Sequence, residues 1–262
     1  KESLILVDEA VDGAKEKGDL PKEGWWLLQR VIYFENRNYE KVVSILKQLI
    51  AHYPKHTYWH QLGGVYGQME NSKQRLASLD ILQLDDALIK SRDYLSLAYL
   101  YLGADVPFRA AQILEQGLKK SVIDSSAKNL ELLGGAWQQA KETQKALAPL
   151  KQAAKLSDTG VIWSRLAMVY LDLDENHNAV SAAKKSLQKG GLKDPSYTHM
   201  TMGNAMVNLH CYRQALEEFN EAGRYKKSKA PAKQWVAYVT SEAARREGLV
   251  EGGAKVSECQ LP

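Results

Sequence analysis

Three histidines, His52, His56 and His60, stand four residues apart, the spacing at which one helix face can present imidazoles to a metal ion. Pro54 falls between the first two and breaks the helix that would carry them, so a polar loop between two helices is the better reading. A second candidate, Asp172-x-Asp174-x-Asn176-x-Asn178, imitates the opening of a calcium loop. Its sixth position is His177 rather than Gly and its twelfth is Ala183 rather than Glu, and short polar side chains there serve as helix caps. The tryptophans Trp25, Trp26, Trp59, Trp137, Trp163 and Trp235 have the chemistry for base stacking, but most recur at apolar helix positions and read as core. Trp25 is the exception and is expected at the surface. The densest basic run, Arg224-Tyr-Lys-Lys-Ser-Lys229, is expected to be a solvated loop, with contact to an acidic partner or anionic headgroups as the minority reading.

No Gly-rich phosphate loop, G-x-S-x-G elbow, His-Glu-x-x-His motif or Cys/His pair in a catalytic setting occurs. The expectation is a protein that is not an enzyme, with no cofactor and no metal. A net charge of +4 on 262 residues is too small to imply nucleic acid without a concentrated patch. Cys211 and Cys259 match no metal-site spacing, and a disulfide between them would have to tie the tail back onto the body of the chain, the less favoured reading. No apolar run is long enough to span a bilayer. A chain that starts at Lys1 rather than Met reads as processed, with any targeting signal already removed.

The elements that would position these residues are helices in pairs. Trp163, Leu166, Ala167 and Tyr170 lie at i, i+3, i+4 and i+7, one face of a helix. After the turn at Asp174–His177, Ala179, Val180, Ala183 and Leu187 form a second face. Small side chains let the two helix backbones approach closely. The first-helix pattern recurs as Trp26/Gln29/Arg30/Tyr33, Trp59/Leu62/Gly63/Tyr66, Tyr94/Leu97/Ala98/Tyr101, Leu130/Leu133/Gly134/Trp137 and His199/Met202/Gly203/Met206. Second helices carry Val42/Leu46/Leu49, a less regular stretch near Leu76–Leu84, Ala110/Leu114/Gly117, Ala146/Leu150/Ala153 and Ala215/Phe219/Ala222. Units start near 23, 56, 91, 127, 160 and 196, a period of about 34 residues. Residues 1–22 read as the second helix of a truncated unit, about 232–247 as a capping helix, and 248–262 as a loosely ordered tail, so that 1–247 forms a single array.

These offsets resemble the tetratricopeptide repeat (TPR) family, whose first helix carries an aromatic, Leu, Gly or Ala, then Tyr, and whose second carries Ala, an aromatic or Leu, then Ala. The resemblance spans about residues 23–247 and implies an all-α, right-handed superhelical TPR solenoid of antiparallel helix pairs. Arg75, where Ala is expected, and His199, where an aromatic is expected, depart from the pattern, so their units are expected to pack less regularly. The resemblance also implies a concave, polypeptide-binding groove lined by Gly64, Gln68, Tyr99, Gly135, Gln138, Gln139, Met168, Asp172, Asn204 and Asn208. The Lys/Asn clamp that holds a C-terminal carboxylate in some members is not visible, so an internal extended or helical segment is the expected ligand.

More narrowly, residues 53–67 and 127–133 look like the TPR proteins associated with TonB–ExbB–ExbD energy-transduction systems of Gram-negative bacteria. That likeness implies a periplasmic, non-catalytic accessory of an uptake complex, with a TonB-, ExbB- or ExbD-type component as partner. The alternative is a TPR module that meets RNA or polysaccharide through the basic loop and an exposed Trp25.

Overall fold

The computed structural model describes residues 2–261, and within them every regular element is a helix. They group into two compact units, 2–106 with 119–123, and 107–118 with 124–261. The first unit holds α1 (Glu2–Glu16), α2 (Glu23–Glu35), α3 (Tyr39–His52), α4 (His56–Gln68), α5 (Ser72–Leu84) and α6 (Ser91–Gly103). The second unit holds α7 (Pro107–Lys119) through most of its length, α8 (Ala127–Gln139), α9 (Thr143–Leu156), α10 (Val161–Asp172), α11 (Asn176–Lys189), α12 (Ser196–Asn208), α13 (Tyr212–Gly223) and α14 (Lys229–Glu251).

Each first helix ends in the same turn, and the sequence shows why. Arg37, Glu70, Asp105, Lys141, Asp174 and His210 all adopt positive φ, between 56° and 62°, although none is Gly. Left-handed backbone costs a non-Gly residue about 1 kcal/mol. Hydrogen bonding offsets that cost. The N–H of the residue after each of them donates to a carbonyl five residues back: Asn38 to Tyr33, Asn71 to Tyr66, Val106 to Tyr101, Glu142 to Trp137, Glu175 to Tyr170 and Cys211 to Met206, all within 2.8–2.9 Å. This is a Schellman closure, and its acceptor is always the last large residue of the first-helix pattern. The two second helices whose N-caps are Asn38 and Asn71 gain a side-chain cap as well, accepted from Lys41 N–H and Gln74 N–H.

Packing within a pair places a small residue of the first helix under a large one of the second. A methyl group on Gly134 would meet Leu150 Cγ at 2.5 Å, and one on Gly203 would meet Phe219 Cε1 at 2.7 Å. Gly63 sits likewise against Ser78 and Leu79. Large apolar side chains fill the layer in each unit: Leu46, Leu49 and Leu97 in the first and Leu114, Leu150, Leu166 and Phe219 in the second are essentially without exposure. In the first unit a polar tie joins successive pairs, the Glu23 carboxylate accepting from both Lys55 and the Tyr58 hydroxyl. Burial, and then this bond, push the Tyr58 phenol up to about 12, while the Lys55 and Tyr58 bonds hold the Glu23 carboxyl below its ordinary value.

Three expectations are corrected here. Cys211 and Cys259 form a disulfide across 48 residues, so the tail is pinned to the start of α13. The sequence separation hid this, because only the return path of α14 brings the two cysteines together. Trp25 is half-buried rather than at the surface; it packs against the core around Trp26, with Lys22 Nζ 5.3 Å from its ring centre. The last helix also begins before and ends after the expected cap, at Lys229 and Glu251.

Candidate functional site: the exposed faces of the first helices

The chemistry-bearing residues singled out in the sequence are dispersed. His52, at the end of α3, stacks on Trp26 at 5.6 Å. His56 opens α4 and lies 3.2 Å from Asp85, and His60, one turn on, lies 2.9 Å from Asp93 without hydrogen-bond alignment. The three imidazoles thus face three different partners. Asp172 and Asp174 lie exposed at the α10–α11 turn, where the Asn176 and Asn178 amides bond Asp174 O and Glu175. In the basic run Arg224 pairs with Glu221 at 2.9 Å, Ser228 is buried, and Lys229 begins α14.

In the first unit, Gly64 and Gln68 on α4 share a 390 Å³ pocket with Arg30 and Phe34 of α2, Gln61 of α4, Arg75 of α5 and Arg92 of α6. Tyr99, 51% exposed, lines a second hollow of 580 Å³ with Ser96, Leu100 and Gly103 of α6 and with Arg75, which borders both. Gly64 and Gly103 present bare backbone to open space. Arg75 is the departure from the repeat pattern, and the structure gives it a place. It lies over Gly67, where a methyl group would come within 3.4 Å of its Nε, and its Nη2 donates weakly to Ser96 Oγ at 3.4 Å. Sequence reasoning missed this arginine pocket because its residues come from four helices and only Gly64 and Gln68 sit at expected lining positions.

In the second unit the corresponding positions are less open. Gly135 is half-buried beneath Arg165, whose Nη1 would lie 3.5 Å from a methyl group there and pairs with Glu131 at 3.1 Å. Gln138 is half-buried, Gln139 exposed, and Met168 46% exposed. Asn204 is half-buried with its Oδ1 enclosed and without a hydrogen-bond partner. The Asn208 amide donates to Asn176 at 3.0 Å, and Asn208 borders a 460 Å³ hollow with Gln234, Trp235 and Tyr238. His199, the other departure, lies 2.7 Å from Glu218 of α13.

With this geometry in place, comparison with solved structures defines the class. A crystal structure of MamA, a TPR-type helical repeat protein, aligns at a TM-score of 0.53 and 21% identity, over 65% of this chain and 97% of that one. MamA from AMB-1 aligns at 0.54 and 18%, over 66% and 92%, and MamA from MSR-1 at 0.53 and 17%, over 64% and 95%. The fold is therefore a TPR-like α-solenoid of antiparallel helix pairs. No family model matches the sequence, and no curated protein matches it.

Proposed function

We propose that the chain is a non-catalytic scaffold that holds a polypeptide segment against the exposed faces of its first helices. One observation carries this reading: beside the amides of Gln61 and Gln68, Gly64 leaves main chain bare on the wall of an open pocket. A partner's backbone can approach such a wall closely, and side-chain amides can satisfy its N–H and C=O groups. The TPR-like fold supports the same reading, because stacked helix pairs present a long row of such faces. Gly64→Leu tests it. The new side chain enters open space from a helical position, so the melting temperature should hold or rise slightly. A photo-crosslinking residue at Gln68 should capture a discrete polypeptide from native extract in the parent and at least tenfold less in the variant. Equal capture in both removes the groove.

The finer proposal is an accessory role in the cell envelope, in an uptake complex of the TonB–ExbB–ExbD type. Its support is the likeness of residues 53–67 and 127–133, together with the Cys211–Cys259 bond, since such bonds persist in oxidising compartments such as the periplasm. Among the described residues no helix is long and apolar enough to cross a membrane. Reduction of the bond is expected to lower stability by about 2 kcal/mol, the low end for a disulfide, because residues 254–261 carry no helix of their own. Urea melts with and without reductant measure this. Alkylation of acid-quenched cells places the chain: both thiols should be blocked from labelling until reduced, and free thiols in fresh cells would remove the periplasmic assignment.

A further inference from the structure

Arg30, Arg75 and Arg92 line the first unit's 390 Å³ pocket, and among the described residues no carboxylate shares its wall. Among the described residues none of the three takes part in an ion pair. Four acidic groups of the same unit are engaged elsewhere: Asp8 with Gln29 and Tyr33, Glu23 with Lys55 and Tyr58, Asp85 with His56, Asp93 with His60. Arg30 Nε and Gln61 Oε1 are enclosed in the structure without a hydrogen-bond partner. Three guanidinium groups on one hollow repel one another, and a buried donor left unmatched is costly. The second unit shows the contrast, for Arg165 over Gly135 carries its own acid, Glu131.

We infer that this pocket receives an Asp or Glu side chain from within a partner polypeptide, flanked by apolar residues that rest on Phe34 on one side of Arg75 and on Tyr99 and Leu100 on the other. The inference rests on the scaffold reading and adds the partner's chemistry. Arg75 borders both hollows, so it fixes the register: the carboxylate on the arginine side, an apolar neighbour a few residues away. Guanidinium groups suit this task because they offer paired, directed donors to a carboxylate. A polypeptide fits better than a nucleic acid. The wall offers bare glycine backbone and amides, and Phe34 is the one aromatic ring of the arginine pocket.

Selection from a random dodecapeptide library, displayed with both peptide ends masked, tests this on the full chain. The expected consensus is an acidic residue with Leu, Phe or Tyr on either side. Arg75→Gln and, separately, the exposed Arg92→Gln should each weaken the selected peptides by about tenfold or more, with helix content and melting temperature unchanged. Replacing the peptide's acid by its amide should lose as much, and binding should weaken as salt rises. Enrichment of peptides without an acidic residue overturns the inference and leaves the scaffold reading standing. Enrichment of nothing, or binding only of a single-stranded RNA dodecamer, overturns both. Selected peptides that bind only once their C-terminal carboxylate is unmasked also overturn it.

Discussion

Trp137→Ala is expected to lower the unfolding free energy by about 4 kcal/mol, within the usual range for a buried tryptophan. Trp137 is 2% exposed and closes the last turn of α8. Its ring and that of Phe108 form a T-shaped pair at 5.3 Å, and Lys145 Nζ lies 4.8 Å from its centre. Its Nε1 donates to Glu115 at 3.2 Å, and its carbonyl accepts the Schellman bond from Glu142. The substitution keeps the backbone bond and removes the other three interactions along with the largest side chain of this layer. Urea denaturation followed by far-ultraviolet circular dichroism measures the change, and Trp137→Phe should recover part of it. A loss under 1 kcal/mol would mean that α7, α8 and α9 are not held together by this residue.

Gly160→Ala should cost about 3 kcal/mol or more, although it adds a single methyl group. Gly160 has ordinary φ, so backbone strain is not the reason. A Cβ there would fall 1.9 Å from the Ser186 carbonyl oxygen and 2.7 Å from its carbon, both main-chain atoms. Relief requires parting the start of α10 from the end of α11. That movement breaks the 2.8 Å bond from Gly160 N–H to Gly190 O and the buried 2.7 Å bond from the Ser186 hydroxyl to Gly160 O. Gly13→Ala in α1 is the matched control. Its Cβ meets nothing within 4 Å, so it should be neutral or stabilise by up to about 1 kcal/mol. Paired thermal melts read both, and equal melting temperatures would refute the close approach.

The repeat was legible because its period comes from local rules. Trp26, Trp59, Tyr94, Leu130, Trp163 and His199 mark α2, α4, α6, α8, α10 and α12, since a helix must turn one apolar stripe to its neighbour wherever it stands in the chain. Small residues at Gly63, Gly134 and Gly203 could likewise be read as close-approach points. The Cys211–Cys259 bond could not, because it depends on where α14 lays its far end. Nor could the arginine pocket. Arg75 looked like an irregularity when set against its own repeat, and its surroundings exist only once Gly67 of one helix and Ser96 of another lie beside it. Residues that act across several helices leave no period to detect.

The bond between Cys211 and Cys259 also sets how the chain transmits mechanical load. Tension applied beyond Cys259 enters the fold at Cys211, the residue that closes the turn after α12. The intervening α13 and α14 lie off the line of force and are not stretched out while the sulfur link holds. A tether fixed at this end therefore pulls directly on the stacked pairs, through a covalent shortcut.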